Sequence, residues 1–148
     1  MAGKVNWRDD AFKAQFRAEM QRRTSASAIL VENHSKRLLS VDGTGGETRR
    51  DERGKFIKGT GKAKIYGSNP SLPGEPPHKQ YGHLRRSVTW EIDLSRITAR
   101  VGTNLRYGRW LELGTAKVAA RPWLRRALIE QRARIVRLLT APMKQGKG

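Results

Sequence analysis

A chain of 148 residues has the size of a single domain, and its 31 Lys and Arg against 13 Asp and Glu leave a net charge of +18 at pH 7. Charge that large and one-sided repels itself, so a polyanion or an acidic protein surface is expected to neutralise part of it; DNA, RNA and acidic protein rings all qualify. There is no cysteine, which excludes disulfides and thiolate metal sites.

No apolar run reaches the roughly 18 residues of a membrane span, and residues 1–10 hold no apolar stretch of a signal peptide, so neither a membrane nor Sec-type export is expected. Hydrophobic residues make up only 36% of the chain, beside 15 glycines and 6 prolines. A modest core and a large share of loop follow.

Residues 7–39 read as one long amphipathic helix. Phe12, Phe16, Met20, Ser27, Leu30, Val31 and Leu38 recur near the 3.6-residue period without an interrupting Pro or Gly. Asp9 and Asp10 fall in its first turns, where the helix dipole favours carboxylates. Asp42-Gly43-Thr44-Gly45-Gly46 cannot continue it.

Residues 43–82 are rich in Gly, Pro, Lys and Arg and poor in large apolar side chains. Lys55-Phe56-Ile57-Lys58 and Lys62-Ala63-Lys64-Ile65-Tyr66 are expected to pair as a loose hairpin across Gly59-Thr60-Gly61. Ser71-Leu72-Pro73-Gly74-Glu75-Pro76-Pro77 must be extended, since its prolines block helix and central strand alike. A loop this long inside a compact domain reads as an extended arm that orders against a neighbour.

From Leu84 the pattern changes to alternation. Leu84, Val88, Trp90, Ile92 and Leu94 face one side and Arg85, Ser87, Thr89, Glu91 and Asp93 the other, with Arg86 as the break. After Ser95-Arg96, alternation resumes at Ile97, Ala99 and Val101, which predicts a two-stranded antiparallel sheet with one buried face. Tyr107, Trp110 and Leu111 then share one side of a short helix over 107–113, with Gly114 as its stop. Pro122 suits the first turn of a final helix whose stripe is Leu124, Ala127, Leu128, Ile135, Leu138 and Leu139, and Pro142 ends it. Residues 143–148 are expected to be a flexible tail. The fold class expected is α+β: a long N-terminal helix, a small antiparallel sheet with an extended basic arm, a short helix and a C-terminal amphipathic helix, in one domain.

Chemistry-bearing clusters are few. His78 and His83 lie five apart beside Glu75, without helical i,i+4 spacing or a second carboxylate, so no metal and no cofactor is expected. Ser87 and Asp93 lack the elbow and oxyanion turn of a hydrolase and fit the polar face of a strand. Residues 54–62 fail the phosphate-loop pattern, because Thr60 follows Gly59 and Ala63 follows Lys62. Glu112 has no paired carboxylate nearby and fits a salt bridge to an arginine. No catalytic residue is expected, and the chain does not read as an enzyme. Arg125, Arg126, Arg132 and Arg137 lie off the apolar stripe of the last helix. They form a solvated surface, a DNA-facing stripe that reads phosphate without base specificity, or a face for an acidic partner.

Three blocks resemble the tailed-phage neck family, which includes tail-completion and head–tail joining proteins and is distantly similar to minor tail protein Z. The first is Ser71-Leu72-Pro73-Gly74-Glu75-Pro76-Pro77 running into Gly82-His83-Leu84-Arg85-Arg86-Ser87-Val88. The second is Val101-Gly102-Thr103 with Tyr107-Gly108-Arg109-Trp110-Leu111-Glu112-Leu113-Gly114-Thr115. The third is Ala120-Arg121-Pro122-Trp123-Leu124 with Ala127-Leu128. The chain departs from the pattern at Leu113, where an aromatic is common, and at Trp123, where Phe is usual; both are apolar exchanges. The pattern does not account for the basic residues 43–64.

The resemblance implies a viral structural protein. It would form a ring, commonly a hexamer, in the neck between head and tail, assembled in the host cytoplasm and surrounding the double-stranded DNA channel. Its partners would be copies of itself, the head connector or a head-closure ring, and the tail terminator or tail tube. Alternatives are a tail-terminator or head-closure protein, and a non-viral nucleic-acid-binding protein without sequence preference. Gly82 and Gly114 would set turns, and Tyr107, Trp110 and Trp123 would pack the sheet against helices.

Overall fold

The computed structural model describes residues 9–41, 71–79 and 81–143. Their elements follow the order α1 (Asp9–Leu38), α2 (His83–Ser87), β1 (Val88–Asp93), β2 (Thr98–Thr103), α3 (Arg106–Leu113) and α4 (Leu124–Thr140). The fold is α+β as expected, with a long first helix and a long last one. The hairpin expected at 55–66, the glycine-rich 54–62 and the tail at 144–148 lie outside the described residues.

At 1.5 Å per residue the 30 residues of α1 span about 45 Å. That length explains the main departure from the expected stripe. Residues 10–18 of α1 are all exposed, and Phe12 and Phe16 stack on each other at 6.4 Å in solvent. The buried positions are Ser27 and Val31 of the expected stripe, with Ala28 and Ser35, all in the second half of α1, and Leu39 just past its end. They recur at i, i+4 spacing, and the small ones among them let another helix approach closely.

That helix is α4, whose buried residues are Ala127 and Gln131. It runs antiparallel to α1: His34 reaches Glu130 and Gln131, while Arg23 reaches the carbonyls of Leu139, Ala141 and Pro142. Leu128, expected on the apolar stripe, is 52% exposed, because the wheel of α4 turns Ala127 and Gln131 inward.

The strands pair antiparallel in the register Val88↔Thr103 to Asp93↔Thr98. Val88, Trp90 and Ile92 turn inward and Thr89 and Glu91 outward, as the alternation predicts. The strand begins later than expected, however. Residues His83–Ser87 form α2, so Leu84 and Ser87 are helical, and Arg86, the break in the alternation, marks the helical segment. Gly82 enters α2 at φ +72°, a left-handed conformation suited to glycine. The core gathers Leu39, Leu84, Val88 and Trp123, with Val101, Leu111 and Leu124 packed against it.

Candidate assembly surface and its motif residues

The three motif blocks meet in one unit. Trp123 is 1% exposed, and its indole N–H donates to the Gly108 carbonyl at 3.2 Å. Gly108 sits where a Cβ would stand 2.6 Å from Thr103 Cγ2 and 2.9 Å from Leu84 Cδ1, so the first and second blocks touch through a missing side chain. Ser87 Oγ donates to the Leu84 carbonyl at 2.8 Å and lies 2.6 Å from Thr103 Oγ1 across the start of the sheet.

Glu112 joins the second block to the third. Its Oε2 accepts the backbone N–H groups of Trp123 at 2.8 Å and Leu124 at 2.9 Å, and its Oε1 accepts that of Arg125 at 2.8 Å. The expected arginine salt bridge is therefore replaced by a cap. The first turn of α4 has orphan N–H donors, and Trp123 at the cap position has no side-chain acceptor of its own. A carboxylate from another helix satisfies three of them and meets the positive end of the helix dipole. Pro122 lies ahead of α4 and not in its first turn, since the helix starts at Leu124.

Gly114 closes α3 at φ +77° and ψ 176°, with its N–H on the Trp110 carbonyl at 2.8 Å. A Cβ there would stand 2.9 Å from Ala120 N, so both conformation and space call for glycine. Thr115 turns the chain, its N–H donating to the Val118 carbonyl at 2.8 Å. Arg121 returns it: its N–H donates to the Leu111 carbonyl at 2.6 Å and its Nε to the Ser71 carbonyl at 3.1 Å.

The described part of the 43–82 stretch is tied to this unit. Gly74 N–H donates to the Ala120 carbonyl at 2.9 Å and Lys79 N–H to the Val41 carbonyl at 2.8 Å. Pro77 is buried, while Pro73 and Gly74 are exposed. Trp110 departs from expectation: it is 55% exposed. Tyr107 is only partly sheltered; burial raises its phenol above the ordinary value, against a backbone hydrogen bond from Leu84 that lowers it.

Compared with known families, curated proteins and solved structures, the chain matches none.

Arg125, Arg126, Arg132 and Arg137 are all exposed on the outward side of α4. Arg126 pairs with Glu130 at 2.8 Å, and its guanidinium, followed by His34, holds the Glu130 carboxyl below the ordinary value. Sequence reasoning missed what lies between the arginines. Ile129 and Val136, seven residues apart and so on one line of the helix, are 61% and 49% exposed. Their spacing was legible in the sequence; which side of α4 faced outward was not.

The Ser87 and Asp93 pair is not brought together with a histidine. Asp93 Oδ1 accepts the Ser95 hydroxyl at 2.6 Å and the N–H groups of Ser95 and Arg96 at the hairpin turn. These bonds, the Ser95 hydroxyl first, lower its carboxyl from the ordinary value. Among the described residues no three His, Asp or Glu side chains cluster as metal ligands.

Proposed function

We propose that this chain is a structural subunit of a tailed-phage neck, forming a ring that joins the head connector to the tail around the DNA channel. The supporting observation is that the residues carrying the resemblance depend on one another. Gly108 accepts Trp123, Glu112 caps the helix that follows Trp123, Gly114 makes room for Ala120, and Arg121 holds the Ser71 carbonyl.

Within this reading the outward side of α4 faces a neighbouring protein ring. Exposed Ile129 and Val136 flanked by arginines suit an apolar anchor with a charged surround, whereas a phosphate-facing surface needs cations alone. The test is a phage in which the gene carries Arg125, Arg126, Arg132 and Arg137 as Gln. Separate heads and tails, with the salt dependence of DNA binding unchanged, support the protein-facing role. Normal joining with a flattened salt slope would move the surface to the DNA channel. Normal virions after deletion of the whole gene would overturn the neck reading.

A further inference from the structure

Arg125, Ile129, Arg132 and Val136 follow one another along α4 at spacings of four, three and four residues. That span closes three helical turns to within about 20°, so the four form a line along the axis about 16 Å long. All four are exposed, while Ala127 and Gln131 are buried on the side facing α1. Arg126 is paired with Glu130 beside the line. Among the described residues the guanidinium groups of Arg125, Arg132 and Arg137 have no hydrogen-bond or ionic partner.

Aliphatic and cationic side chains thus alternate, and each asks for a different complement. Ile129 and Val136 gain from covered apolar area, and a guanidinium matches a carboxylate in its planar fork. The middle of a helix offers an incoming chain no free backbone N–H or C=O, so the occupant has to satisfy its own backbone. An α-helix does so. We propose that this line docks an acidic amphipathic helix of another protein, with Leu-type side chains seated on Ile129 and Val136 and carboxylates accepting from Arg125 and Arg132. This rests on the protein-facing reading of α4 above and adds the partner's chemistry to it.

Charge selects this occupant over the alternatives. A second α4 would set the same arginines against each other, which like-charge repulsion opposes. The first turns of α1 offer Phe12 and Phe16, but there Asp9 and Asp10 are balanced by Lys13 and Arg17. Residues 42–70 carry seven Lys and Arg against Asp42, Glu47, Asp51 and Glu52, and residues 1–8 and 144–148 hold no Asp or Glu. DNA phosphates would engage the arginines and leave Ile129 and Val136 without an apolar partner.

The probe is a fluorescein-labelled three-heptad peptide with Leu at its core positions and Glu beside them, read by fluorescence anisotropy on the full chain at physiological ionic strength. Binding is expected, with a gain of helical circular dichroism. Ile129→Ser, Arg125→Glu and Arg132→Glu should each weaken it about tenfold or more, with thermal midpoints unchanged because the side chains are exposed, and Arg85→Glu on α2 should not weaken it. A peptide with Lys at the two Glu facing the arginines should prefer the double variant Arg125→Glu, Arg132→Glu over the wild type. No binding, no gain of helix, or equal binding of a peptide broken by a central Pro would overturn the proposal. Loss of binding in the arginine variants but not in Ile129→Ser would make the line a surface for anions such as DNA phosphates, and self-association abolished by Ile129→Ser would make a second copy the occupant; either overturns it. The assay needs no phage, so peptide binding and head–tail joining can fail separately.

Discussion

At the scale of single residues, Glu112 carries more of the structure than its half-buried position suggests. Three amide donors converge on one carboxylate, and charge-assisted bonds of this type are stronger than neutral ones. Glu112→Ala should cost about 2–3 kcal/mol in urea unfolding, and Glu112→Gln about half of that, because the amide retains one acceptor oxygen. Gly114→Ala should cost about 1–3 kcal/mol from its backbone conformation, with the close approach to Ala120 adding to it. Asp93 and Glu130 are expected to make stability depend on pH in the acid range. Both carboxyls are lowered in the folded chain, so each contributes stability above its unfolded value and loses it as pH falls through the folded one. Urea midpoints should therefore fall between about pH 5 and pH 3, and the double variant Asp93→Asn, Glu130→Gln should flatten that fall.

At the scale of elements, α4 is held at both ends by side chains from elsewhere. Glu112 meets its N-terminus, and the Arg23 guanidinium donates to the carbonyls of Leu139 in its last turn and of Ala141 and Pro142 just beyond it. Opposite charges thus sit at the ends where the helix dipole favours them. Arg23→Gln should speed hydrogen exchange in the last turn of α4 while leaving the amides near Ala127 protected.

The elements most legible in the sequence were those with long, uninterrupted periods. The paired strands followed from alternation at Val88, Trp90 and Ile92, and the stop at Gly114 from the absence of a Cβ. Less legible were features fixed by distant partners. Leu84 fits strand alternation and helix equally well, and only the tertiary setting behind Gly82 decides for α2. Glu112 has nothing in its neighbourhood to reveal that its partners lie eleven to thirteen positions later. Phe12 and Phe16 keep the helical period yet stand beyond the body that α1 packs on.

At the scale of the whole molecule, a small core beside a charge of +18 opposes close packing of identical subunits until a partner neutralises it. Analytical ultracentrifugation at moderate salt should show a monomer or weak oligomer, and a stable hexamer with no monomer would contradict that. The two-ended grip on α4 has a consequence for chain continuity. Between Thr115 and Val118 the chain makes an exposed turn, while everything that positions α4 lies on either side of it. The covalent link at the turn therefore only raises the local concentration of α4 near its seat. Co-expressed as two pieces, 1–116 and 117–148, the severed chain should reassemble and purify as one particle. In the same experiment Glu112→Ala should release the shorter piece, making the protein's last helix a removable part whose fit can be assayed by itself.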